Sequence, residues 1–146
     1  MKILVCTDGS EQSRKAAVKA ADLLANREDA EVTVLHVWHI DASFVLYPEA
    51  GHIAAEILQR IEQQKQDEGN RMLSKTAAIF EGKNIKTLKM LKRGHPATTI
   101  VETASEGGFD LVVIGSRGLG GIKKMLLGSV SNAVAQEAHT SVMIVK

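Results

Sequence analysis

Short, branched, uncharged apolar runs that alternate with helical patterns constrain this chain more than any other feature of its sequence. Ile3–Cys6 and Leu111-Val-Val-Ile114 are continuous runs of this kind, and Glu31–Trp38 and Ser141–Val145 read as further strands. A strand that is apolar along its whole length is covered on both faces, which is the habit of parallel sheets. Thr7-Asp8-Gly9-Ser10 breaks the first run, and Ser10 suits a helix N-cap. A helix is predicted from about Glu11 to Ala25, with Ala17, Ala20, Ala21 and Leu24 on one face. After the second strand a loop around Asp41–Tyr47 leads to Pro48, placed as a first-turn proline.

The spacing then predicts a long amphipathic helix from about Glu49 to Phe80. Ile53, Ile57, Ile61, Leu73, Ala77 and Phe80 form its stripe, while Glu62–Arg71 is strongly polar and reads as a solvated face. Gly82-Lys-Asn stops that helix, and a third strand follows over Ile85–Leu91, with Lys86 and Lys89 interleaved. Gly94-His-Pro turns into a helix over Ala97–Ser105, which ends at Gly107-Gly108. Asp110–Ile114 is the fourth strand, and a helix over Ser129–Ala138 and the strand Ser141–Val145 complete the order. Strands alternating with helices give an α/β chain: a parallel sheet with helices on both faces and right-handed crossovers. Ligands of such sheets sit beyond the carboxyl ends of the strands, where the winding reverses. No linker or internal repeat interrupts the order, so 146 residues are expected to make one domain.

Composition excludes several classes of function. With 45% hydrophobic and 24% charged residues the chain is an ordinary globular one. A net charge of +1 argues against phosphate-backbone contacts with nucleic acid as its main business. Cys6 is the only cysteine, which rules out an internal disulfide and suits a reducing compartment. The opening Met1-Lys-Ile-Leu-Val-Cys-Thr-Asp is too short for the apolar core of a signal peptide, and no run has membrane-spanning length. A cytoplasmic protein is expected.

The chemistry concentrates after the fourth strand, in Gly115-Ser-Arg-Gly118-Leu-Gly-Gly-Ile-Lys-Lys-Met-Leu-Leu-Gly128-Ser129-Val-Ser131. Glycines there let main-chain N–H groups approach a ligand, and the closing Gly-Ser-Val-Ser offers a helix N-terminus and the two hydroxyls of Ser129 and Ser131 to an anion. The segment is not a P-loop, because neither Lys123 nor Lys124 follows a suitably spaced glycine pair. Nor is it a dinucleotide fingerprint, since Gly118-Leu-Gly120 lacks the third glycine. What remains is Gly-x2-Gly-x9-Gly-Ser. Lys123 and Lys124 either attract phosphate or form a solvated face. His36 and His39, three apart on a strand, point to opposite faces and make no metal pair.

This spacing resembles the signature of the ATP-binding branch of the universal stress protein family. Asp8 after the first strand, His36-Val37 ending the second, Gly94-x-Pro96 and the terminal strand extend the likeness along the whole chain. The resemblance implies a doubly wound five-stranded sheet of the adenine nucleotide alpha hydrolase type, in the order 3-2-1-4-5. It also implies a site for ATP or AMP made of Cys6, Thr7, Asp8, Val37, Ile114, Gly115, Arg117, Gly118, Gly128, Ser129, Val130 and Ser131. In that site Asp8 hydrogen-bonds adenine or ribose, Val37 packs near the base, and Gly128–Ser131 hold the phosphates. Arg117 either pairs with phosphate or stays solvated. Mg²⁺ or Mn²⁺ is expected on the phosphate oxygens rather than on protein ligands. Cys6 by itself reads as a small buried hydrophobe.

No catalytic triad or paired carboxylates accompany the loop, so a nucleotide-dependent regulatory protein is expected, with a weak or partner-dependent ATPase as the alternative. The last strand carries no charge before Lys146, and the family resembled here pairs such strands across a two-fold axis. A homodimer through Val142–Val145 follows as an expectation.

Overall fold

The computed structural model describes residues 1–27, 29–40, 51–119 and 127–146, with 51–54 described by backbone alone. The elements run β1 (Lys2–Cys6), α1 (Glu11–Leu24), β2 (Glu31–Trp38), α2 (Gly51–Glu81), β3 (Lys86–Arg93), α3 (Pro96–Glu106), β4 (Leu111–Gly115), α4 (Ser129–Glu137) and β5 (Ser141–Val145). All strand pairs are parallel, in the order β3-β2-β1-β4-β5 expected from the resemblance. The expectations for Asp41–Tyr47, Pro48, Lys123 and Lys124, and for the side chain of Ile53, lie outside the described residues.

The pleat of each strand sorts its residues between two cores. Ile3, Val5, Val32, Val34 and Val113 face α1 and α2, where Ala16, Ala17, Ala20, Ala21, Leu73, Ala77 and Phe80 meet them. Leu4, Cys6, Leu35, Val112 and Ile114 face α3 and α4, against Ala97, Ile100, Ala104 and Val134. Covering on both faces is why β1 and β4 read as unbroken apolar runs. Ser10 caps α1 as expected, its Oγ accepting from Ser13 N at 3.2 Å. The alanine face of α1 lets that helix pack so close to β4 at Gly115 that a Cβ there would stand 2.8 Å from the carbonyl carbon of Gln12.

Two expectations shift. The third strand is Lys86–Arg93 rather than Ile85–Leu91, because β2 extends to Trp38 and pairs it with Arg93, so Lys92 joins the ladder. The stripe of α2 is buried only in its later part: Leu73, Ala77 and Phe80 are covered, whereas Ile57 is 47% exposed. The described contacts with the sheet therefore secure the second half of a 31-residue helix.

Register levels the carboxyl ends of the three central strands. Cys6 lies beside Leu35, and Val5 beside Val113. The chain leaves β1 toward β2 on one side, and β4 lies on the other, so the winding reverses between β1 and β4. The exits of β1, β2 and β4 open on one crevice there.

Candidate functional site

Thr7, the first residue beyond β1, ties four elements together. Its N–H donates to Leu35 O (2.9 Å), and its own carbonyl accepts from His36 Nδ1 (2.8 Å). A carbonyl only accepts, so His36 carries its proton on Nδ1 and, when neutral, presents a lone pair at Nε2. Thr76 Oγ1 of α2 donates to Thr7 Oγ1 at 3.2 Å. Thr7 Oγ1 lies 3.3 Å from Ser13 Oγ, whose own proton goes to Ser10 O at 2.9 Å. The proton order is therefore Thr76 to Thr7 to Ser13 to the Ser10 carbonyl. The Thr7 side chain is occupied within the protein and sets the path of the loop that carries Asp8.

Asp8 joins this loop to the glycine loop. Its Oδ1 accepts from Ser10 N (3.0 Å), and its Oδ2 accepts from Leu119 N (3.1 Å). Gly118 makes that approach possible: a Cβ there would stand 2.5 Å from Asp8 Oδ2. Gly115 has a different reason to be glycine. A Cβ at Gly115 would stand 2.8 Å from the carbonyl carbon and 2.9 Å from the oxygen of Gln12, main-chain atoms of the first turn of α1. The small face of α1 presses on the strand at this point, and there is no flexible side chain to give way.

The glycine loop closes on itself where it returns. Ser116 N donates to Val145 O, and Gly128 N donates to Ser116 O, each at 2.7 Å. Ser131 Oγ lies 3.0 Å from both Ser116 O and Gly128 O, so its one proton is shared inward between two carbonyls. Gly128 is the N-cap of α4 and has no side chain to cap it. The first N–H groups of any helix lack intrahelical partners, and here they belong to Ser129, Val130 and Ser131. They bring the positive end of the helix dipole to the same edge of the crevice. Ser131 thus offers its N–H rather than its hydroxyl proton.

The crevice has a volume of about 670 Å³, within the range usual for small-molecule sites. All twelve residues singled out from the sequence line it: Cys6, Thr7, Asp8, Val37, Ile114, Gly115, Arg117, Gly118, Gly128, Ser129, Val130 and Ser131. Cys6 is 5% exposed, and burial pushes its thiol up to about 12, so it is an apolar part of the floor and a poor nucleophile. Leu35, Ile100 and Pro96 extend that floor on the α3 side.

The crevice has a second wall that the glycine motif does not mark. Trp38, His39, Lys65, Glu68 and Met72 also line the crevice, as does His36. Lys65, Glu68 and Met72 fall within or beside the segment read as a solvated face. Their spacing of three and four residues puts them on one stripe of α2, and that stripe was the available signal. His36 and His39 both reach the crevice because β2 ends at Trp38 and its strict alternation ends with it. Arg93 braces this wall from behind, its guanidinium 5.5 Å from the Trp38 ring centre and 2.7 Å from Glu62 Oε1. Among the described residues no cluster of three or more His, Cys, Asp or Glu is arranged to hold a metal ion, and no helix is long and apolar enough to cross a membrane.

The whole chain, residues 1–146, matches the sequence model of the universal stress protein family. It is 35% identical to the universal stress protein YxiE of Bacillus subtilis, over 99% of this chain and 98% of that one. It is 36% identical to the universal stress protein MJ0531 of Methanocaldococcus jannaschii, over 99% and 81%. Among solved structures, the protein MJ0577 superposes with a TM-score of 0.78 at 27% identity, over 99% and 94% of the two chains. An Arabidopsis thaliana family member solved with AMP bound has a TM-score of 0.70 at 21% identity, over 100% and 91%. A universal stress protein of Archaeoglobus fulgidus solved with dAMP has a TM-score of 0.66 at 22% identity, over 100% and 98%. With the family model matched over the whole chain and relatives above 30% identity along its length, the chain belongs to the universal stress protein family.

Proposed function

We propose that this protein binds ATP or AMP in the crevice and acts as a nucleotide-dependent regulator in the cytoplasm. One observation carries the reading: the uncapped N-terminus of α4 and the glycine-lined exit of β4 stand side by side at the edge of a cavity of about 670 Å³. Free N–H groups at a helix start suit phosphate oxygens, and the apolar floor of Cys6, Leu35, Val37 and Ile114 suits the face of a base. The AMP and dAMP complexes of family members with this fold support the same ligand class.

Arg117 lines the phosphate end and supplies a cation there. A divalent ion, Mg²⁺ or Mn²⁺, would be held chiefly by the phosphates themselves. Asp8, the carboxylate at the junction of the two loops, already accepts an N–H on each oxygen, which suits a positioning role better than that of a general base. Binding then regulates by favouring one of two conformations or assemblies. Mass analysis of small molecules that co-purify with the chain, followed by a single-turnover assay with ATP and Mg²⁺ or Mn²⁺, tests the reading. Retained adenine nucleotide without turnover supports it; rapid hydrolysis abolished by Asp8→Ala would replace regulation with catalysis.

The edge strand β5 pairs with β4 alone among the described strands, and Val142–Val145 are half-buried in the single chain. We infer a homodimer through this strand, since an uncharged apolar edge invites an antiparallel copy. Sedimentation at micromolar concentration is expected to show twice the chain mass; a pure monomer would remove the inference.

A further inference from the structure

The second wall of the crevice has no role in the account so far, and its chemistry is specific. Phosphate-binding groups cluster beyond β4, at Arg117 and the start of α4, while β2 and α2 close the opposite end. A nucleotide whose phosphates lie at the first end directs its base toward the second. That end has apolar surfaces for the base faces in Val37, Trp38 and Met72, and two charged side chains at its rim, Lys65 and Glu68.

Gly69 brings the rim into place. It is buried in the middle of α2, where a Cβ would stand 2.6 Å from Leu91 Cδ1 and 2.9 Å from His36 Cδ2. Glycine inside a helix costs roughly 0.5–1 kcal/mol relative to alanine. Here its absent side chain lets α2 seat directly on the end of β2, which carries the neighbouring Lys65 and Glu68 to the crevice. Glu68 is half-buried, and its Oε1 accepts from Gln64 Nε2 at 3.0 Å, while Oε2 has no hydrogen bond among the described residues.

We propose that Glu68 reads the base at its six-position edge, with Lys65 beside it at N7, and makes the site selective for adenine over six-oxo purines. The proposal rests on the nucleotide reading above. Adenine presents an amino donor at N6 beside an acceptor at N7, whereas guanine and hypoxanthine present acceptors at both O6 and N7. A carboxylate accepts from N6 but repels O6, and an ammonium donates to N7 of either base. Glu68 therefore selects against the six-oxo purines, whereas Lys65, which can donate to O6 as well as to N7, adds affinity and taken alone favours them.

Calorimetric titration of the full chain with ATP and with ITP, which carries O6 and an N1–H in place of the amino group and the N1 acceptor, tests the division when wild type and Glu68→Gln are compared. Wild type is expected to prefer ATP by roughly tenfold, and Glu68→Gln, whose amide can face either group, to bring the two within about threefold. Lys65→Met is expected to weaken both, ITP at least as much as ATP, so that the preference for ATP does not fall. Equal binding of ATP and ITP by wild type, or a Glu68→Gln protein that keeps the wild-type ratio while still binding ATP, overturns the proposal and leaves nucleotide binding standing. Failure of wild type to bind either nucleotide overturns the nucleotide reading itself, and the selectivity with it.

Discussion

The two ends of the crevice are built by different means. The β4–α4 end is made of main chain: Gly118 leaves room for the Asp8 carboxylate, Gly128 caps a helix with no side chain, and the N–H groups after it face outward. The β2–α2 end is made of side chains that come from separate elements and are held by Arg93, Glu62 and the missing Cβ of Gly69. A main-chain site demands glycine at fixed spacing and so leaves a trace in the linear sequence. A side-chain wall depends on which helix packs where, and a polar helix face looks alike whether it meets solvent or a ligand.

The sharpest way to break the comparison is at the main-chain end. Gly118→Val places a branched side chain where a Cβ alone would stand 2.5 Å from Asp8 Oδ2, so the two loops must separate. Nucleotide affinity is expected to fall by roughly ten- to hundredfold while the circular dichroism spectrum is kept. Gly115→Ala, three residues earlier in the same motif, should behave differently. Its methyl meets the rigid main chain of Gln12, and overpacking of this kind costs roughly 1–3 kcal/mol, lowering the melting temperature by roughly 3–10 °C. If Gly115→Ala melted with wild type and lost only binding, its assignment to helix–sheet packing would be wrong.

That pair of glycines also shows what the sequence makes legible. The strands and helices follow from periodicity, whereas the strand order and the twelve candidate residues that line the crevice come only through the family resemblance that the glycine motif carries. What the motif conceals is the reason for each member: Gly115 serves packing, Gly118 serves the loop junction, and Ser131 turns its hydroxyl inward. Trp38, Lys65 and Glu68 were not legible, because their common position depends on α2 docking against β2. The exposure of Ile57 has the same origin, since a stripe on a helix says which residues share a face but not how far the sheet extends beneath them.

Smaller effects sharpen the picture within each end. Asp8→Asn keeps the shape but offers an N–H₂ group at one of the two positions that now accept an N–H. Loss of one charge-assisted bond is expected to weaken ATP binding by roughly tenfold, less than Gly118→Val. Unchanged affinity would mean that the junction of the loops is incidental to the site.

The smallest expected effect concerns Cys6. Burial raises its thiol from 9.0 to about 12, so the folded chain keeps that proton where the unfolded chain releases it. Its contribution to stability is full below pH 9 and declines as the pH rises from there toward 12. At neutral pH a disulfide reagent should react with Cys6 only as fast as the chain opens, and denaturant should release one thiol at once. Prompt reaction in the folded state would show that the floor of the crevice is open rather than sealed.

Equilibrium dialysis of the full chain against ATP in Mg²⁺, beside the Gly118→Val variant, tests the central claim most directly. Saturable retention of one nucleotide per chain is expected from wild type, and strongly reduced retention from the variant. Absence of retention by wild type at ATP concentrations up to about 1 mM, a binding free energy weaker than roughly −4 kcal/mol, would contradict it.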